Sequence, residues 1–183
     1  MLEVTQLRNG MYFEEDGTPF KVLSYDHIKV GRGGATVKIK VKNLLTGSFT
    51  IRSYQSGKRV EEADIETVRA TYKYRTADYF IFDTDEDEVE IAIEKIEEEG
   101  KYLKKEMSIE LLMYQGDPIT ISLPIKVGYQ VKEAPPDARG NSANASTKEV
   151  VLENNLKVKT PMFIKENDTV IVDTRTGDYV ERA

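Results

Sequence analysis

The stretch that indicates the fold most directly runs from residue 29 to residue 42 and reads KVGRGGATVKIKVK. In its second half, Val37, Ile39 and Val41 alternate with Lys38, Lys40 and Lys42. Such alternation is typical of a β-strand with one buried face. The first half places three glycines within residues 31–34, which predicts a tight turn because glycine tolerates backbone conformations that other residues avoid.

Arg32 is the residue that this turn presents. Its guanidinium is planar, permanently charged and carries five donors, which suits phosphate groups and base edges. A polyanion would relieve the repulsion among the neighbouring lysines and release counterions on binding. We therefore predict a nucleic-acid interface made of the tip residues Gly31, Arg32, Gly33, Gly34 and Lys29, with Lys38, Lys40 and Lys42 behind them. The alternative is an edge strand whose lysines discourage aggregation, and the ribbon alone does not decide between the two.

The composition favours several small domains over one deep core. Apolar residues make up 39% of the 183 residues and charged residues 32%, against typical values of about 45–50% and about 25%. The net charge of −6 is uneven: it is +2 in residues 1–64, −7 in residues 65–128 and −1 in residues 129–183. A weakly basic head beside an acidic middle indicates that one end meets a polyanion while the middle faces elsewhere.

The residue inventory argues against several kinds of site. There is no cysteine, and His27 is the only histidine, so thiolate ligands and histidine-rich metal sites are excluded. No phosphate-binding loop, serine-nucleophile motif or zinc-peptidase motif is present. We expect no enzymatic activity, no cofactor and no metal ion. Without a secretory signal or a long apolar run, we also expect a cytoplasmic protein with no membrane association.

Short strands separated by turns recur along the whole chain and predict an all-β protein of three small barrels. We place the barrels at residues 1–64, 65–128 and 129–183. In the first, Phe20–Leu23 is one predicted strand. The second has five strands and a short helix within Lys95–Leu103, which is the pattern of an OB-fold.

The third barrel is predicted from strands at 129–133, 148–151, 156–158, 162–164, 169–173 and 179–180, with a long loop from Asp137 to Thr147. Between the second barrel's strands, residues 83–99 hold ten acidic residues and one lysine. We interpret this run as a solvated face. The functional alternative is that it repels the wrong nucleic-acid surface and thereby fixes orientation.

Two motifs carry a resemblance to a known family. Residues 25–35, YDHIKVGRGGA, followed by VKNLLTG at 41–47, resemble the first domain of bacterial elongation factor P. PMFI at 161–164, followed by TVIVDTRTGDY at 169–179, resembles the third-domain signature of that family. The resemblance extends over the whole chain. It implies a KOW (SH3-like) first domain followed by two OB-like domains, in an elongated, L-shaped arrangement.

The resemblance also implies a function. Elongation factor P binds both ribosomal subunits beside the peptidyl-tRNA in the P site. It sends the tip of its first domain toward the tRNA CCA end and relieves stalling at consecutive prolines. Arg32 occupies the place of the family's functional tip residue. Arg175 and Tyr179 become candidates for contacts of the third barrel with tRNA or the small subunit, the alternative being a turn and its packing tyrosine. We expect a monomer.

This chain departs from the commoner family pattern at the tip. Val30 stands where many members have proline, and Arg32 where many have lysine. Enzymes that extend lysine should therefore not act here, whereas in some lineages a glycosyltransferase attaches rhamnose to the arginine. The elongation factor P-like paralogue often carries arginine too and stays open as an alternative.

A second alternative is a free OB-type protein that binds single-stranded nucleic acid. Such proteins stack bases on exposed aromatic side chains. The candidates here are Tyr72, Tyr74, Tyr79, Phe80 and Phe82, although their alternation with polar residues also indicates a core.

Overall fold

The computed structural model describes residues 1–30, 34–136 and 147–183 of the chain. It confirms the predicted all-β class: four antiparallel sheets build three barrels in chain order, and the described residues form one short α-helix. The predicted tip residues Gly31, Arg32 and Gly33, and the predicted loop apart from Thr147, lie outside the described residues.

The N-terminal barrel has a four-stranded sheet in the order β2-β3-β4-β5 and a two-stranded sheet that pairs β1 with β6. Alternating apolar residues of β4 close its core against two stacked rings, Phe13 and Phe20, whose centroids are 5.5 Å apart. A 3₁₀ turn covers Val4–Gln6. The strands are β1 Leu2–Glu3, β2 Tyr12–Glu15, β3 Thr18–Val30, β4 Gly34–Asn43, β5 Phe49–Gln55 and β6 Arg59–Val60.

The central barrel is a five-stranded sheet in the order β11-β10-β7-β8-β9. A 3₁₀ turn at Ile93–Lys95 and the helix α1, Glu97–Gly100, connect β9 to β10. This is the helical insertion predicted within Lys95–Leu103, although the helix is only four residues long. The strands are β7 Glu66–Arg75, β8 Tyr79–Asp83, β9 Glu88–Ala92, β10 Ser108–Tyr114 and β11 Asp117–Ser122.

The C-terminal barrel is a second five-stranded sheet, in the order β14-β13-β12-β15-β16. The prediction of a strand at residues 162–164 is wrong, because Met162 and Phe163 form a turn after β14. That turn buries Ile164 completely and leaves Phe163 exposed. The strands are β12 Lys126–Glu133, β13 Thr147–Leu152, β14 Lys157–Pro161, β15 Thr169–Asp173 and β16 Tyr179–Arg182.

The three barrels do not have three independent cores. One continuous apolar cluster runs through the central and C-terminal barrels, from Phe82 and Leu111 to Val150 and Ile164. The N-terminal barrel has a separate cluster. A third, small cluster of Leu44, Leu112, Tyr114 and Ile119 joins the N-terminal barrel to the central one.

Candidate nucleic-acid interface

The long strands β3 and β4 form the ribbon that leads to the predicted tip. They pair in antiparallel register from Phe20 opposite Asn43 to Val30 opposite Gly34. Lys29 pairs with Ala35 next to the end of the ribbon, so two of the predicted tip residues, Lys29 and Gly34, lie on its last strand pairs. The described backbone therefore forms a hydrogen-bonded ribbon up to the residues that flank Gly31, Arg32 and Gly33 in the sequence.

Strand β3 is much longer than the predicted Phe20–Leu23, because a bulge interrupts its pattern. The register shifts between Val22 and Ser24, which leaves Leu23 as an extra residue opposite β4. Beyond such a bulge the inward-facing positions change parity: Phe20 and Val22 face the core before it, and Tyr25 packs against the core after it. The strand therefore continues to Val30, past Leu23, where the simple alternation of buried and exposed positions is broken.

Lys38 and Lys40 lie on the exposed outer face of β4, as predicted. The residues between them, Val37 and Ile39, are fully buried on the opposite face. Next to the lysines, the neighbouring strand β5 exposes two large apolar side chains, Phe49 at 51% and Ile51 at 60%. Ammonium groups beside an exposed ring can combine phosphate attraction with stacking.

The prediction that Lys42 continues this exposed row is wrong. Lys42 does share the outer face, opposite Phe49 in the register of β4 and β5, but the central barrel covers this end of the strand. The Lys42 Nζ atom donates to both carboxylate oxygens of Glu99, at 2.9 and 2.8 Å. Its side chain is only 4% exposed, so the lysine row available to a polyanion ends at Lys40.

Arg175 lies in the turn between β15 and β16 and is already engaged. Its Nε and one terminal nitrogen donate to the two carboxylate oxygens of Asp173, at 3.0 and 2.6 Å, and its backbone N–H donates to the same carboxylate at 2.9 Å. These hydrogen bonds lower the pKa of Asp173 to about 2. Arg175 also lines a cleft of about 730 Å³ whose lining residues come from all three barrels and include Lys21 and Lys101.

Tyr179 is half-buried and packs against the apolar cluster shared by the central and C-terminal barrels. It pairs with Val172 across the two last strands. This placement matches the packing alternative for Tyr179.

The aromatic residues of the central barrel divide into two groups. Phe80 and Phe82 are buried, and Tyr72 packs on both rings, with centroid distances of 6.1 and 5.7 Å. Tyr74 and Tyr79 are exposed. The strand beside Tyr79, β9, exposes Glu88 and Glu90, and such charges repel phosphate. Three of the five candidate rings are thus unavailable for stacking on bases.

Two residues at the junction of the first two barrels escape prediction from the sequence: Gly47 and Glu99. Glu99 belongs to the acidic run that the sequence predicts to face solvent. The residues from Asn43 to Gly47 predict a turn between two strands and nothing more. A side chain at Gly47 would nevertheless meet the central barrel, since a Cβ added at this position would lie 2.4 Å from the backbone oxygen of Glu94. The signal that could reveal this contact is the apolar pair Leu44-Leu45 inside a turn, where polar residues are usual.

Two negative findings apply to the described residues only. No group of three or more acidic or histidine side chains within them is placed to hold a metal ion. No helix in the same part of the chain is long and apolar enough to cross a membrane.

Comparison with known protein families matches the three barrels one by one. Residues 3–60 match the family "Elongation factor P (EF-P) KOW-like domain", residues 65–121 the family "Elongation factor P (EF-P) OB domain", and residues 127–182 the family "Elongation factor P, C-terminal". The three matches follow one another along the chain and together span most of it.

Full-length relatives agree with these matches. The chain is 40% identical to elongation factor P of Aquifex aeolicus (strain VF5) over 183 residues, which cover 99% of this chain and 95% of that protein. It is 40% identical to elongation factor P of Mycoplasmopsis synoviae (strain 53) over 185 residues, covering all of both chains. Among solved structures, eukaryotic translation initiation factor 5A from Methanococcus jannaschii covers 67% of this chain and 93% of its own, at 19% identity and a TM-score of 0.47.

Proposed function

This chain belongs to the elongation factor P family of translation factors, and from that premise we propose that it binds the ribosome beside the peptidyl-tRNA and relieves stalling at consecutive prolines. The observation that carries the proposal is the match of all three barrels, in order, over the length of the chain. The ribbon of β3 and β4 supports it, because its described strand pairs end at Val30 opposite Gly34, the two residues that flank the predicted tip in the sequence.

The proposed mechanism is positioning. Proline is a poor partner in peptide-bond formation, since its ring restricts the backbone. A factor that holds the CCA end of the tRNA in a productive pose lowers the barrier without supplying a catalytic group. In this proposal Arg32 contacts the CCA end, with Gly31, Gly33 and Gly34 allowing close approach and Lys29 adding positive charge.

Lys38 and Lys40 then contact the RNA backbone along the same face. Both are exposed on a sheet whose other face is fully packed, so they project from a rigid support. Arg175 can add a contact only through the donors that Asp173 leaves free. The elongated, L-shaped arrangement of the barrels, the domain boundaries, the monomeric state and the role of each interface residue stay predictions.

A reconstituted translation system that synthesises a Pro-Pro-Pro peptide tests the function. We expect the wild-type protein to accelerate this synthesis and Arg32→Ala to remove most of the acceleration. Arg59→Ala is the matched control, since Arg59 is an exposed arginine of the same barrel outside the ribbon. Equal synthesis with and without the wild-type protein, prepared from its native host, would contradict the proposal.

The rhamnose hypothesis needs a separate measurement. The intact mass of the protein from its native host should exceed the sequence mass by one deoxyhexose if a glycosyltransferase modifies Arg32. Fragmentation of the tip peptide should then place the sugar on that residue. A mass equal to that of the bare sequence would mean that the arginine acts unmodified.

The free single-strand binder is the weaker proposal. Two of its candidate rings are buried in the core, and acidic side chains flank the exposed Tyr79. Salt-dependent binding of the isolated protein to single-stranded RNA, lost in Tyr74→Ala and Tyr79→Ala, would reverse this order of preference.

A further inference from the structure

The end of the acidic run is a fixed part of the central barrel. Ile96, just before α1, is completely buried. Gly100 closes the helix against Phe80, so closely that a Cβ at this position would lie 2.4 Å from the ring. The Glu98 carboxylate forms an ion pair with the Lys101 Nζ atom at 2.7 Å. Glu99 therefore presents its carboxylate from an element that packing holds in place.

Lys42 reaches this carboxylate from the N-terminal barrel. The ammonium group bonds both oxygens, and the two side chains are 4% and 19% exposed. An ion pair on the open surface contributes little to stability. Breaking a buried pair by removing one partner is costly, because the other charge stays out of water without a counter-charge. The stability of the fold therefore depends on the relative position of Lys42 and Glu99 more than it depends on the exposed ion pairs.

A second cation depends on the same carboxylate. Lys21 lies directly opposite Lys42 in the register of β3 and β4, where two like charges repel each other. Burial lowers the pKa of Lys21, and the charge of Glu99 acts in the opposite direction. Glu99 thus offsets the repulsion between two lysines at the base of the ribbon.

Apolar packing and a close backbone contact surround the ion pair at the junction of the two barrels. A small apolar cluster, with Leu44 on one side and Leu112, Tyr114 and Ile119 on the other, seals the junction. Next to it, Gly47 has a φ of +77° and lies against the backbone of Glu94. Apolar contact is non-directional, whereas an ammonium group that is only 4% exposed loses its counter-charge if the two barrels shift, so Lys42 and Glu99 are the contact best suited to set an angle.

We propose that Lys42 and Glu99 are positioning residues whose ion pair fixes the direction in which the β3–β4 ribbon points relative to the central barrel. On this view, the acidic run does not only face solvent. Its last glutamate fixes the orientation of the N-terminal barrel relative to the central barrel. The consequence for proline-rich synthesis rests on the proposed function, but the structural claim does not.

Distance measurements between spin labels test the structural claim. The chain has no cysteine, so Ser53→Cys on the N-terminal barrel and Asp85→Cys on the central barrel, both exposed positions, create two unique label sites. The test variants are Lys42→Met, Glu99→Gln and the charge exchange Lys42→Glu with Glu99→Lys. Lys40→Met is the matched control, since Lys40 occupies the same face of the same strand but is exposed.

We expect a narrow distance distribution in the wild type and in Lys40→Met, and a distribution at least twice as broad in Lys42→Met and in Glu99→Gln. The charge exchange should narrow it again. A distribution in either single variant as narrow as that of the wild type would overturn the proposal. Glu99→Gln keeps the side-chain shape at a partly exposed position, so it covers the case in which Lys42→Met does not fold.

Lys42→Met, Glu99→Gln and the charge exchange in the Pro-Pro-Pro assay test the functional consequence. At saturating factor we expect about a tenfold lower maximal rate in Lys42→Met and in Glu99→Gln, with a smaller change in the concentration needed for half the effect, and recovery in the charge exchange. Broad distances with unchanged synthesis would overturn the positioning role. If the wild type itself gives no acceleration, the proposed function fails, and the distances still decide whether the ion pair fixes the barrels.

Discussion

The two junctions between barrels are built differently. The central and C-terminal barrels share one apolar cluster, and side chains of one donate to backbone carbonyls of the other: Tyr129 to Tyr102, Asn154 to Lys101 and Leu103, and Thr174 to Pro124. The N-terminal barrel meets the central one through a small apolar cluster, one largely buried ion pair and one hydrogen bond from the Tyr114 hydroxyl to the carbonyl of Gly17.

This difference indicates different mechanical roles. A core that continues across two barrels makes their stabilities interdependent, since removing one barrel would expose apolar surface of the other. A smaller interface buries less apolar surface and so carries less stabilisation, while its charged pair is costly to break because the remaining charge stays unpaired. The central and C-terminal barrels therefore form one structural unit. The N-terminal barrel has a core of its own, and its orientation depends on its contact with that unit.

Tyr129→Ala should cause the largest loss of stability. It is the most direct test of whether the central and C-terminal barrels share one cooperative core. Tyr129 is completely buried, and its hydroxyl donates to the carbonyl of Tyr102 across the junction. Deleting a buried aromatic side chain costs about 3–5 kcal/mol. Hydrogen exchange should show lost protection in the strands of both the central and the C-terminal barrel, and little change in β2–β5.

Phe13→Ala is the control for this prediction, because Phe13 is a fully buried ring of the N-terminal cluster. Its exchange effect should stay within the N-terminal barrel. If Tyr129→Ala changes only the C-terminal strands, the two barrels do not share a cooperative core, and the contrast between the junctions is lost.

Comparing Gly47→Ala with Gly10→Ala measures how much the junction between the N-terminal and central barrels contributes to stability. Both glycines have positive φ, +77° and +88°, but only Gly47 is in contact, its added Cβ meeting the Glu94 oxygen at 2.4 Å. Both alanines should cost about 1–2 kcal/mol in backbone strain. Gly47→Ala should cost about 1–3 kcal/mol more, because the junction must shift to admit the methyl group.

Thermal unfolding of the two glycine variants gives this difference in stability, and the spin-label distances show whether the N-terminal barrel has moved. Equal losses of stability in the two variants would mean that the contact of Gly47 with the central barrel has no energetic weight.

Asp173→Asn should cause the smallest loss of stability. It tests the turn at the edge of the junction between the central and C-terminal barrels. The turn that Asp173 and Arg175 shape carries Thr174, which docks on Pro124. The pKa of Asp173 falls to about 2 in the folded chain from 3.8. A lowered pKa stabilises the fold above the unfolded value, and this stabilisation disappears as the pH falls toward the folded value.

The melting temperatures of the wild type and Asp173→Asn should therefore differ by a constant, small amount between pH 5 and 7, on the order of 1–2 °C. The difference should shrink from about pH 4 to pH 2, where the wild-type carboxylate becomes protonated. A difference that stays constant down to pH 2 would contradict the assigned role of the Arg175 hydrogen bonds.

Much of the fold is predictable from local pattern, and the misses have identifiable causes. The alternation in residues 36–42 correctly places β4 and its lysines on one face. The bulge at Leu23 reverses the alternation within β3 and hides more than half of that strand. At residues 162–164, three apolar residues indicate a strand, but the shared core buries Ile164 from a turn.

The site is less predictable than the fold, because its key contact joins distant parts of the chain. Periodicity correctly assigns the face of Lys42, yet it does not show that another barrel covers that face. Lys42 and Glu99 are 57 positions apart, and nothing local distinguishes Glu99 from the acidic residues that precede it. A pattern within one strand reports which side a residue faces, whereas its neighbour in a different domain depends on how the domains pack.

The length of the β3–β4 ribbon makes it a lever. Between the pair Lys21–Lys42 at its base and the pair Val30–Gly34 at its end, the ribbon extends for about 26 Å at roughly 3.3 Å per residue. A tilt of about 5° at the base would move the far end by roughly 2–3 Å. Where the tip positions the CCA end as proposed, a misplacement of about 1 Å can lower the reaction rate about 100-fold, so the angular tolerance at the base of the ribbon is only a few degrees.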